Sequence, residues 1–107
     1  MMEGFPDRSL VVLNLVNPRE KFWGVLLSLS PVGITLRGIN LDAFEDWVRQ
    51  LTREGEQGLE PATVFVPLFR VERLFLDEPV GSVQSYSQFF EQRVGVSPVD
   101  FIGLDQK

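Results

Sequence analysis

Up to Asn40 the apolar residues come in short alternating or continuous runs broken by turn signals. Leu10–Val16 (LVVLNLV) reads as a buried first strand. Asn17-Pro18-Arg19-Glu20 is a turn with proline at a favoured position. Lys21–Ser30 (KFWGVLLSLS) is a second strand, and Gly24 inside it predicts a bend, a bulge or a close backbone approach. After the tight turn Ser30-Pro31-Val32-Gly33, Ile34–Ile39 forms a third strand. Ile34, Leu36 and Gly38 share one of its faces, and Thr35, Arg37 and Ile39 the other. Links this short allow only an antiparallel meander.

At Asn40 the period changes. Leu41, Phe44, Val48 and Leu51 recur at three or four residues, with Trp47 alongside, and predict an amphipathic helix over 41–53 capped by Asn40. Pro61–Glu78 then reads as two short strands with a sharp break. Thr63–Val66 are β-formers, and Pro67 lacks a ladder donor. Arg70–Arg73 reads as a polar turn around Val71, and Leu74–Leu76 runs apolar again. Gly81–Arg93 predicts a second helix with Val83, Tyr86, Phe89 and Phe90 on one face, Ser82 or Ser85 as its cap and Gly95 past its end. The tail, residues 96–107, is expected to be loose or docked through Phe101 and Ile102. The expected fold class is mainly β with two helices. It is a small, strongly bent five-stranded antiparallel barrel over residues 1–95, Sm-like or SH3-like, with helix 41–53 inserted between strands three and four. That helix is expected to cover a barrel opening or an edge strand.

Composition narrows the chemistry. With 107 residues, 44% of them hydrophobic, the chain suits one domain with a real core. It has no cysteine and no histidine, so disulfides, thiolate zinc sites and the commonest general base are all ruled out. No apolar run is long enough for a membrane span, and the start MMEGFPDRS has no basic leader region, so a cytoplasmic location without signal peptide is expected. The net charge is −5, concentrated in 40–60 by Asp42, Glu45, Asp46, Glu54, Glu56 and Glu60. Phosphate backbones repel such a chain at long range, so DNA is not expected as a partner.

One stretch carries a resemblance. Gly24-x-Leu26-x-x-Leu29-Ser30-x-Val32-x-Ile34-x-Leu36 resembles the first motif of the bacterial Sm-like RNA chaperone family Hfq, and Val64–Leu76 is similar to its second, a strand, a one-turn break and a short strand. The resemblance implies a small barrel and assembly into rings or dimers through edge strands. The chain has Ser30 where that family has aspartate. It has the apolar Pro67–Phe69 where the family's polar RNA contacts fall, and a helix where the family has a short loop. No RNA-binding residue therefore carries over by type.

Candidate sites follow from the residue types. Arg70 and Arg73, with Glu72 between them, are candidates for a phosphate or carboxylate, because arginine offers a bidentate fork. Arg19, Lys21 and Arg37 beside Phe22 and Trp23 are candidates for stacking single-stranded RNA. The bland alternatives are solvated ion pairs, with Phe22 or Trp23 in the core. The acidic segment lacks an EF-hand pattern and reads as the solvent face of a helix, so no metal is expected. No cofactor is implied. Phe65, Phe69 and Phe75, with Phe89 and Phe90, read in two ways, as one aromatic-rich core closed by the C-terminal helix or as more than one small core can bury, and on the second reading the first three are candidate interface residues. No nucleophile–base pair can be named, so the chain does not read as an enzyme. The expected function is a non-enzymatic assembly or interaction module, with itself as partner. Sm-like RNA binding is the alternative.

Overall fold

Gly24 and Gly38 face each other across two strands too closely for a side chain on either. A Cβ on Gly24 would lie 2.5 Å from Gly38 Cα and 2.3 Å from Arg37 O. Of the three outcomes that glycine predicts, close backbone approach is the one realised. The structure is a computed structural model that describes residues 5, 6, 8–53, 58 and 60–102. The meander consists of β1 (Leu10–Leu15), β2 (Glu20–Ser30) and β3 (Gly33–Asn40). β4 (Ala62–Pro67) adds to β3, and β5 (Val71–Leu76) returns beside β1. The antiparallel order is β4-β3-β2-β1-β5.

The three central strands bury both faces, which is why β1 reads as an almost unbroken apolar run. Their inner face carries Val11, Leu13, Leu15, Leu26, Ile34 and Leu36, joined by Val66 of β4 and by half-buried Leu74 and Leu76 of β5. Residues from both end strands thus reach one core, and register shifts at Asn14/Leu15 and at Leu26/Ser28 accompany the bend. The sheet nevertheless does not close into a barrel. β4 and β5 each have one neighbour and do not pair with each other. The proline at the end of β4 withholds a donor there, and a 3-10 turn, Leu68–Arg70, carries the chain onward.

The outer face carries Val12, Trp23, Val25 and Ile39, roofed by three helices. Asn40 accepts from Asp42 N and caps a 3-10 turn, Leu41–Ala43, that leads into α1 (Phe44–Leu51). The helical segment is therefore continuous over 41–51 with a tighter start, two residues shorter than the expected 41–53. Phe44, Trp47 and Val48 of α1 pack on Trp23, Val25 and Ile39. No residue of β4 or β5 enters that cluster, so the helix covers a sheet face rather than an opening or an edge. α2 (Tyr86–Val94) starts five residues later than the expected Gly81. Ser85 and Gln88 form a reciprocal capping box, and Gly95, at φ 90°, stops the helix. Val83 therefore lies outside the helix, and a turn bridged by Val80 and Val83 precedes it. In the tail, α3 (Pro98–Ile102) is a third helix. Ile102 is buried, and Phe101 lies 6.2 Å from Trp47 and 5.9 Å from Phe90, ring centre to ring centre. Residues 103–107 of the expected tail fall outside the described residues. Among the described residues no helix is long and apolar enough to cross a membrane.

Aromatic rings hold this layer together. Trp23 meets Phe44 edge-on at 5.1 Å, and Trp47 lies 5.3 Å from Phe90. Such pairs add about 0.5–1.5 kcal/mol each beyond the apolar area they bury.

Candidate functional site

β4 is an edge strand with no charged residue in it. An edge leaves a row of backbone N–H and C=O groups without partners, and monomeric proteins usually blunt it with lysine or by covering it. Here the surroundings are apolar. Phe65 is 55% exposed, and its ring lies across Gly33, where a Cβ would meet it at 2.4 Å. Val32, in the β2–β3 turn, and Leu68, in the 3-10 turn, are exposed next to it, tied by Leu68 N donating to Val32 O at 3.0 Å. Phe69 follows, 83% exposed. Ser30 shapes this corner. Its Oγ accepts from Val32 N and Gly33 N and donates to Gly33 O, so it has a turn-building role of its own.

The candidate phenylalanines therefore sort by position. Phe65 and Phe69 belong to one exposed patch at the β4 edge. Phe75 lies on β5, the opposite edge strand, 40% exposed. Phe90 is fully buried and Phe89 packs against the core. Val32 and Leu68 complete the patch. In the sequence Val32 stands only as a turn and motif position and Leu68 only within the apolar Pro67–Phe69, and nothing local says that the two meet.

The candidate basic residues do not form one site. Arg70 sits in the 3-10 turn and is used structurally. It donates to Val16 O at 2.9 Å and Pro18 O at 2.6 Å, and it pairs with Glu20 at 3.2 Å. Arg37 donates to Ile102 O at 2.8 Å and to Thr63 Oγ1 at 3.3 Å, tying α3 to the sheet. Glu72 and Arg73 lie in β5 rather than on a turn, because the chain resumes its strand at Val71. Arg19 is exposed in the β1–β2 turn. Lys21 and Arg73 are brought together. Both are register partners of Asn14, one from each side, in a row across β2, β1 and β5. Phe22 packs against the inner core and Trp23 is fully buried, so neither ring is open for stacking.

The acidic residues spread out. Asp46 pairs with Arg49, while Glu54 and Glu56 lie outside the described residues. Among the described residues no three acids converge on a point that could hold a metal.

Compared with protein-family models, curated proteins and solved structures, this chain matches none of them.

Proposed function

We propose that the protein is a non-enzymatic assembly module that forms homo-oligomers by pairing the β4 edge of one copy with the β5 edge of the next. The observation that carries this reading is an uncharged edge strand beside an exposed patch of Phe65, Val32, Leu68 and Phe69. A second copy is the natural occupant, because each chain offers a second unpaired edge, β5, with exposed Phe75 on it. Pairing unlike edges is head-to-tail, and a head-to-tail contact that closes into a ring leaves no edge free. The proposed lineage is the Sm-like small barrel, in keeping with the meander, the one-turn break at Leu68–Arg70 and the return of β5 beside β1. A cytoplasmic location belongs to the same proposal.

Light scattering over a concentration series tests this, with and without a pool of short single-stranded RNA. The expected result is a multimer whose mass ignores RNA and which Phe65→Lys dissociates without unfolding. A plain monomer at every concentration would overturn it. A complex that forms only with RNA and dissolves as salt rises would overturn it too, in favour of RNA binding.

A further inference from the structure

β4 and β5 are the two edges of one sheet, and alternation along each strand assigns its side chains to the same two faces. On β4, Thr63 and Phe65 pair with Arg37 and Thr35 of the outer face, while Val64 and Val66 turn to the inner core. On β5, Arg73 and Phe75 pair with Asn14 and Val12 of the outer face, while Leu74 and Leu76 turn inward. Each edge therefore carries one exposed phenylalanine on the outer face between two aliphatic residues on the inner one. Neither Phe65 nor Phe75 belongs to a core cluster.

Strand direction follows from the topology. Four antiparallel steps separate the two edges, so β4 and β5 run the same way across the sheet. A next copy that presents its β4 to β5 keeps the same order of strands. With its outer face on the same side, its β4 runs parallel to β5. With β4 antiparallel, the copy is turned over, and its Phe65 falls on the inner side, away from Phe75.

We infer that β4 of one copy adds to β5 of the next in parallel, with Phe65 beside Phe75. The pairing rests on the assembly reading and gives it a direction. This register sets Val64-Phe65-Val66 along Leu74-Phe75-Leu76, and Ala62-Thr63 along Glu72-Arg73. Apolar side chains then meet on both faces, and the charged start of β5 meets the small, polar start of β4. Antiparallel pairing about the same centre sets Arg73 against Pro67 instead. Parallel ladders are slightly weaker per residue, and the aromatic pair with its matched aliphatic neighbours offsets that. The outer face is also ready for the incoming ring. The segment from Asp77 to Ser85 frames a cleft of about 220 Å³, with Phe75 in its wall beside exposed Val80, Val83 and Tyr86. A ring arriving at Phe75 extends an apolar wall already there.

Disulfide trapping tests the direction, because the chain has no cysteine of its own. A Thr63→Cys chain is mixed dilute with a mass-tagged Arg73→Cys chain, then concentrated and oxidised. The expected result is a mixed dimer that forms at least about tenfold faster than in a mixture of Pro67→Cys and Arg73→Cys chains. In the parallel register that second pair is about 13 Å apart, beyond the roughly 7 Å a disulfide can bridge. Phe65→Asn and Phe75→Asn should each raise the midpoint concentration of assembly about tenfold. The double variant should raise it by well under the product of the two, because the rings touch. Faster trapping in the Pro67→Cys mixture, or fully multiplicative effects of the two Phe variants, would overturn the inference. So would a multimer, seen by light scattering, in which neither mixture is trapped, and the assembly reading would then still stand. An unaltered chain that stays monomeric at every concentration would remove that reading and this inference together. The Phe variants need no cysteine and decide the contact even if the Pro67→Cys chain fails to fold.

Discussion

The buried indole of Trp23 donates its Nε1–H to Asp77 Oδ2 at 2.8 Å, across 54 residues of chain. The same carboxylate accepts from Tyr86 N and Ser87 N, in the first turn of α2. One side chain therefore fixes the outer core, the start of α2 and the segment that frames the cleft. Asp77→Ala leaves a buried donor unpaired and removes negative charge from a helix N-terminus. It should cost about 2–3 kcal/mol. Asp77→Asn keeps one acceptor and should cost roughly half as much. Urea unfolding of the two variants checks both values. Equal stability of Asp77→Ala and wild type would refute the role.

The Gly24–Gly38 contact sets the spacing of the two longest strands. In Gly38→Ala the new methyl would meet Trp23 O at 2.0 Å, and that neighbour is backbone, which cannot rotate away. The expected loss is about 3 kcal/mol or more, by overpacking. Circular dichroism melts check it, and a fully stable variant would show that the strands can separate freely.

Arg70 joins the 3-10 turn to the β1–β2 turn through two carbonyls and Glu20. Its planar fork is what serves two acceptors at once, so Arg70→Lys should rescue little of the loss in Arg70→Ala, about 1.5–3 kcal/mol. Glu20→Gln removes only the part-exposed ion pair and should cost under about 1 kcal/mol. Denaturant midpoints for the three variants decide this. A larger effect from Glu20→Gln than from Arg70→Ala would reverse the assignment.

Phe44 touches Trp23, Trp47, Tyr86 and Phe89 and is almost fully buried. Phe44→Asp places an unpaired charge in that cluster, and loss of cooperative folding at room temperature is expected. Near-ultraviolet circular dichroism reads it directly through the two tryptophans. A native-like spectrum would place α1 outside the core.

Much of the architecture is legible in local chemistry. The alternation of Ile34–Ile39 gives its two faces correctly, since Ile34 and Leu36 enter the inner core and Ile39 the outer. Asn40 and Gly95 mark helix ends because capping needs only neighbours. Reading Gly81–Gln84 as helix fails because helical spacing of apolar residues outweighs the reciprocal Ser85–Gln88 cap, which fixes the true start. The placing of Glu72 and Arg73 in a turn fails because their charge suggests a corner, whereas an exposed edge strand carries charge just as well. Arg37 and Arg70 look free in the sequence because their acceptors lie 26 to 65 residues away. Asn14 left one trace, a single polar residue inside LVVLNLV, but its two cationic neighbours come only from strand register.

Amide hydrogen exchange of β4, followed against protein concentration, tests the edge-pairing claim most directly. If β4 pairs with β5 of the next copy, outward-facing amides within Ala62–Val66, together with outward amides of β5, become protected as concentration rises, and Phe65→Lys abolishes that protection. A mass that rises while β4 exchanges at its monomer rate, or a chain that stays monomeric throughout, would contradict it.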